Sequence, residues 1–146
     1  MLRAVAALAL MLPRLAWGDY GICPPYSKTF GPDDPVAEIE AFIVEVNVRP
    51  GGGTLILEPG NYPLGPISIT GVVCIRSSGD DPLATMLGTD SRPSIRVESN
   101  GVLTIKSLHQ HFFNIEVSAG ALFYGDNLAW EQDGPFLNQG EIYLRE

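Results

Sequence analysis

The chain has 146 residues, 45% of them hydrophobic, with 17 acidic against 9 basic side chains and a formal net charge of −8. That length suits one domain burying roughly two-thirds of its unfolded surface. Lys and Arg do not cluster, which argues against nucleic acid and anionic membrane as partners; the acidity, without a block of like charge, reads as solubility.

The first stretch, "MLRAVAALALMLPRLAWG", has a cationic start at Arg3, an apolar run from Ala4 to Leu12 and a breaker at Pro13. Ala16 and Gly18 are placed for signal-peptidase cleavage. The apolar run is nine residues, against the ~20 a bilayer-crossing helix needs. Residues 1–18 therefore read as a signal peptide, with a membrane anchor as the rival, and the chain is expected to be secreted with no membrane span. Cleavage leaves 128 residues carrying a net charge of −10.

Residues 19–32, "DYGICPPYSKTFGP", are rich in Pro, Gly and aromatics and read as an irregular lead-in. They hold Cys23, whose only companion is Cys74. In an oxidising compartment two thiols most often form one bridge. It would close a loop of about 50 residues and contribute about 4 kcal/mol in the chain-entropy model; two unpaired buried thiols are the other reading. No Cys or His pair has metal-finger spacing, and no N-x-S/T sequon is present.

A short amphipathic helix is predicted over about 34–47, within "DDPVAEIEAFIVEVN". Asp33 or Asp34 would accept from the first-turn amides, and Pro35 suits the first helical position. Val36, Ile39, Ile43 and Val46 recur at helical spacing, and Pro50 with Gly51–Gly53 ends the run.

From residue 53 the period changes to two. "TLILE", "PISIT", "VVCIR", "SIRVE", "VLTIK", "NIEVS" and "EIYLR" are short alternating strands separated by Gly, Pro, Asn or Ser. "SNGVLTIKS", "SAGALFYGD" and "NQGEIYLRE" align with glycines at 101, 120 and 140. A unit of about 20 residues thus holds strand, tight turn and strand, with Gly supplying the positive φ of the turn. Units that short must stack on neighbours to bury an apolar face. The expected fold is all-β, a parallel β-helix; a meander with recurring glycines is the alternative.

Residues 77–92, "SSGDDPLATMLGTDSR", read as a loop-like insertion, the place where a stacked fold carries function. Its Asp80, Asp81, Asp90 and Arg92 would meet sugar hydroxyls or Ca²⁺ through hard oxygen ligands; a solvated surface excursion is the plainer reading. Arg96 and Lys106 alternate with Ile95, Val97 and Ile105, so they point outward, either as a basic pair gripping an acidic polysaccharide or as solvated side chains. His109 and His111 share a face of an extended segment, but no third ligand accompanies them, so no metal site is assigned. Phe112, Phe113, Phe123, Tyr124 and Phe136 read as stacked core aromatics, and Trp130 and Tyr143 as packing residues or a sugar platform.

The pair "DDPVAEIEAFI" and "GGGTLILEPGNYPLG" resembles the N-terminal signature of the pectin lyase-like superfamily of right-handed β-helices. The matching residues are Asp33, Asp34, Ile39, Gly51, Gly52, Gly53, Thr54, Pro59, Gly60 and Tyr62. The resemblance covers residues 31–76 and implies a domain over 33–146, with a cap helix shielding the first coil. It also implies candidate chemistries. Members of this superfamily include lyases, hydrolases, adhesins and tail spikes, so the fold specifies chemistry poorly. The Asn-Thr-Asp, Gly-His-Gly and Arg-Ile-Lys motifs of the hydrolases are absent, and Asp80-Asp81 lies outside any alternating strand. No catalytic residue is assigned, and enzyme activity stays open.

The chain closes on the strand-like "EIYLRE" with no cap after it. Either further C-terminal coils or a homo-oligomer is expected to cover that end. The leading expectation is a non-catalytic carbohydrate- or surface-binding module with an extracellular polysaccharide or cell surface as partner. The rivals are the N-terminal part of a polysaccharide lyase or glycoside hydrolase, and an adhesin-like structural segment. No cofactor is assigned; Ca²⁺ is the single ion the acidic loop would suit.

Overall fold

The computed structural model describes residues 21–88, 94–112, 114–132 and 136–145. The signal peptide assigned to residues 1–18 and the candidates Asp90 and Arg92 lie outside the described residues.

Strand β1 (Ser27–Phe30) precedes helix α1 (Val36–Val48). Three strands follow, β2 (Gly53–Leu57), β3 (Gly60–Tyr62) and β4 (Ile67–Ile69), then β5 (Val72–Ser77), β6 (Thr85–Gly88) and β7 (Ser94–Val97). The pattern repeats as β8 (Val102–Lys106), β9 (His109–Phe112) and β10 (Asn114–Val117), then β11 (Leu122–Asp126), β12 (Ala129–Gln132) and β13 (Phe136–Asn138), with β14 (Glu141–Arg145) last.

From β2 onward each strand pairs with the one three places later, always in parallel. The result is a six-stranded sheet in the order β1-β2-β5-β8-β11-β14 and two four-stranded sheets, β3-β6-β9-β12 and β4-β7-β10-β13. The fold is therefore all-β and parallel, with one helix.

Register stacks like residues in columns. Val73, Leu103 and Phe123 are aligned, as are Leu55, Ile75 and Ile105, and Ile69, Val97 and Val117; all are buried. These columns form the core, and each adds apolar surface removed from water at ~25 cal/mol per Å². A fourth column runs Tyr62, Leu87, Gln110, Trp130. Gln110 is fully buried in it, and neither polar atom of its amide has a hydrogen-bond partner.

Helix α1 buries Ile39, Phe42, Ile43 and Val46 and packs on β2, β4 and β5. Asn47 ties its C-terminal end down: its Oδ1 accepts from the Thr70 and Gly71 amides at 3.0 and 3.2 Å, and its Nδ2 donates to Ser68 O at 2.8 Å. Glu40 Oε1 accepts from the Gly65 amide at 2.9 Å. The expected carboxylate cap is not formed. Pro35 occupies the cap position, and Asp34 Oδ2 turns back to accept from the Gly31 amide at 2.7 Å.

Two stretches read as irregular contain strands. The lead-in 19–32 holds β1, which pairs with β2 at the sheet edge. The insertion 77–92 holds β6, flanked in its sheet by β3 and β9. The turn glycines also divide by role. Gly120 has the positive φ expected of it (+81°), whereas in the first unit Asn100 takes that conformation (+67°). Gly101 and Gly140 are constrained by close backbone approach instead: a Cβ at either would lie 2.5 Å from a neighbouring carbonyl oxygen, Ile69 O or Ser118 O.

The lead-in crosses the outer face of the six-stranded sheet over the aligned row Thr54, Cys74, Thr104, Tyr124. Gly21 lies against the Tyr124 ring, Cys23 is bonded to Cys74 with Cα atoms 5.3 Å apart, and Pro24 O accepts from Thr54 Oγ1 at 2.6 Å. The expected disulfide is present, and it pins the strap to the sheet.

Candidate functional site

Beside the strap, the next outward row of the six-stranded sheet is charged. Arg76, Lys106, Asp126 and Arg145 are register partners on β5, β8, β11 and β14, so successive side chains leave the sheet ~4.8 Å apart. They point outward because their neighbours in the strands, Ile75, Ser77 and Ile105 among them, are buried in the core. Arg76, Lys106 and Asp126 line a cleft of about 390 Å³ together with Cys23, Ser77, Ser78, Gly79, Asp80 and Ser107.

Asp126 sits among the cations. Arg145 binds it in bidentate fashion, Nε to Oδ1 at 3.1 Å and Nη2 to Oδ2 at 2.6 Å, and Lys106 Nζ lies 3.9 Å away. The hydrogen bonds from Arg145 hold the Asp126 carboxyl below the usual carboxylate range and raise the guanidinium above its own ordinary value. An ionised, chelated carboxylate of this kind orients cations and is a poor proton donor.

The end of β5 and the loop after it complete the lining. Ser77 Oγ and Thr85 Oγ1 share a hydrogen bond of 3.2 Å, and Ser77 Oγ also accepts from the Gly79 amide at 3.2 Å. Asn127, at φ +53°, donates from Nδ2 to Asp80 O at 2.8 Å and to Ser107 Oγ at 3.1 Å, which fastens the loop across two strand layers. Asn tolerates that left-handed conformation better than most residues.

Of the residues singled out from the sequence, Asp80 and Lys106 are brought together in this cleft. Asp81 is used locally: its Oδ1 accepts from the Leu83 amide at 2.9 Å and forms a turn. Arg96 and Lys106 do not form a basic pair, because β7 and β8 belong to different sheets. Arg96 lines a separate cleft of about 290 Å³ with Pro66, Ser68, Ser94, Glu98 and Glu116. There it donates from Nε to Glu116 Oε2 at 2.9 Å and lies 3.9 Å from Glu98. His109 is half-buried on β9, and among the described residues no group of three or more His, Cys, Asp or Glu is placed to hold a metal ion.

A third cleft, about 630 Å³, lies at the β14 end and is lined by Gly125, Asn127, Leu128, Trp130, Leu144 and Arg145. Trp130 packs edge-on against the core ring of Phe123, with centroids 5.7 Å apart. Tyr143 OH donates to Glu141 Oε2 at 2.6 Å. Phe123 is core, as expected, and Tyr124 lies half-buried beneath the strap.

Arg76, Asp126, Asn127 and Arg145 were not singled out from the sequence. Lys106 and Asp126 are 20 residues apart, the same period as the turn glycines, so that pair could have been found. Arg76 is hidden because the loop between β5 and β6 stretches its spacing from Lys106 to 30 residues.

No protein-family model, curated protein or solved structure matches the chain.

Proposed function

We propose that the chain is a secreted, non-catalytic carbohydrate- or surface-binding protein, a right-handed parallel β-helix of the pectin lyase-like type that holds an extracellular glycan in its charged cleft. The observation that carries this reading is the cleft itself. Two cations on adjacent strands, Arg76 and Lys106, line it together with Ser78 and Ser107. Such groups bind the carboxylates and hydroxyls of an acidic sugar through charge-assisted hydrogen bonds.

The β-helix reading is supported by parallel pairing of every third strand and by partners about one repeat apart, such as Ile95 with Ile115. Secretion is supported by the Cys23–Cys74 bond, since such bonds persist in oxidising compartments. No helix among the described residues is long and apolar enough to cross a membrane. The non-catalytic reading is supported by Asp126, whose carboxyl is tied up by Arg145 and so is badly placed for acid catalysis.

The test is retention on immobilised polygalacturonate at moderate salt, with unsaturated product followed by absorbance. Retention without turnover is expected, and Arg76→Ala with Lys106→Ala should weaken it about ten-fold or more. Turnover would point to the polysaccharide lyase reading instead. No retention on acidic or neutral glycans would overturn the assignment.

A further inference from the structure

The two halves of the Cys23–Cys74 bond sit in unlike surroundings. Cys74, on β5 beneath the strap, is fully buried. Cys23 is half-buried and lines the charged cleft beside Arg76 and Lys106. A thiolate entering the cleft therefore reaches the Cys23 side of the bond, with Cys74 as the leaving group. Disulfides open to solvent are the ones that exchange, and shielded ones are inert.

The charges around the bond select what enters. The chain as a whole repels anions, with a net charge of −8. The cleft departs from that. Arg76 leaves β5 on the same face as Cys74, two residues on, and its Cα is in register with that of Lys106. Its guanidinium donates to Ser77 O at 3.3 Å, and no carboxylate pairs with it among the described residues. Of the two carboxylates that line the cleft, Asp126 is chelated by Arg145, and Asp80 is left to oppose the cations. A cation beside a cysteine also favours its thiolate, so Arg76 assists the departure of Cys74.

We propose that the Cys23–Cys74 bond is a thiol-exchange site for a small thiol that carries a carboxylate. The carboxylate docks on Arg76 and Lys106, and the thiolate attacks Cys23 Sγ from the cleft. A sulfur–sulfur bond forms between the incoming thiol and Cys23 as the bond to Cys74 breaks. The incoming sulfur is oxidised, and Cys74 is reduced to a thiolate that takes a proton from water. A second molecule of the thiol then attacks the first at its sulfur, leaves with it as their symmetrical disulfide, and frees the Cys23 thiolate. Exchange unties the strap from β5, so that Pro24 O on Thr54 Oγ1 is its next anchor. The proposal is independent of the glycan reading of the cleft.

The rate at which thiols open the oxidised full chain tests it. Mercaptopropionate, mercaptoethanol and cysteamine supply an anionic, a neutral and a cationic thiol of similar size. Each rate is taken per thiolate and divided by the rate on the urea-unfolded chain, which removes intrinsic reactivity. Mercaptopropionate should open the folded chain about ten-fold faster than cysteamine at low salt, and the gap should close at ~1 M salt. The overall negative charge acts in the opposite direction, so such a preference has to come from the cleft. Arg76→Gln should remove most of it, Asp80→Asn should enlarge it, and Arg96→Gln, on another sheet, should leave it unchanged. Acid trapping and peptide mapping should find the first mixed disulfide at Cys23. Equal or reversed preference in the folded chain, a preference insensitive to salt or to Arg76→Gln, or a first adduct at Cys74 would overturn the proposal.

Discussion

At the α1 end of the strand stack, Ile39 and Phe42 are 1% and 4% exposed, whereas Leu144 on β14 is 65% exposed. The strands themselves are alike in length and pairing at both ends. The difference comes from what lies across them: an amphipathic helix held by Asn47 and Glu40 on one side, and a cleft lined by Asn127, Leu128, Trp130, Leu144 and Arg145 on the other. A stack of parallel strands does not close itself, so some element outside the repeat must cover each terminal layer. At one end helix α1 supplies that cover.

Substitutions at the two ends sharpen this contrast. Phe42→Ala removes a buried ring that packs on Phe30 at 5.7 Å and should cost about 3–5 kcal/mol. Leu144→Ala, the equivalent probe at the open end, should cost less than about 0.5 kcal/mol in the dilute protein. Chemical denaturation of both variants, read as the shift in midpoint, checks the pair.

Reducing the Cys23–Cys74 bond comes next. It closes a loop with a sequence separation of 51, and its loss should cost up to about 4 kcal/mol in the chain-entropy model. The strap over Thr54 and Tyr124 would be loosened with it, so protection should fall in β2 and β5 before it falls in β7 and β10, outside the strapped sheet. Thermal unfolding with and without reductant measures the first effect, and amide exchange the second.

Gln110 breaks the core column in the layer next to Trp130, nearer the open end. Its unpaired amide should cost about 1–3 kcal/mol, and Gln110→Leu should recover much of that as a rise in Tm. A drop in Tm would mean that the amide is satisfied in solution.

Tyr62 supplies a pH test of the closed end. Burial, then the nearby Glu58 carboxylate, pushes its hydroxyl up to about 12, while the OH donates to Glu58 O at 2.7 Å and to Phe30 O at 3.0 Å. The folded protein thus favours the neutral form. Its contribution is fully present below the unfolded pKa near ~10 and is lost as pH rises from there through about 12. Tyr62→Phe should flatten that alkaline loss at a cost of about 1 kcal/mol at neutral pH. Denaturation across this pH range compares the two proteins.

Strands β2, β5, β8 and β14, with β4, β7 and β10, were legible because segments such as "VLTIK" and "SIRVE" alternate cleanly, whereas β1 was not. The third sheet was not. Its strands "GNY", "TMLG", "HQHF" and "AWEQ" are short, and a buried Gln110 stands where an aliphatic residue would have shown the alternation. Strand β6 was lost in the insertion for the same reason. Phe42 is buried beside Ile43 on the helix face, and the spacing reading left it out. Of the charged cleft, Asp80 and Lys106 were singled out, but their meeting depends on Asn127 fastening the loop across strand layers, a contact spanning 47 residues that no local pattern reveals. The separation of Arg96 from Lys106 follows from strand order, which is equally non-local.

Native-state hydrogen exchange on the dilute chain tests the contrast between the two ends most directly. Opening free energies track burial and pairing layer by layer. The amides of β2, β5 and β8 should exchange slowest, and those of β12, β13 and β14 fastest, with protection falling steadily along the stack. Protection of β14 equal to that of β5 would contradict the account, as would rapid exchange in β2 beneath the helix.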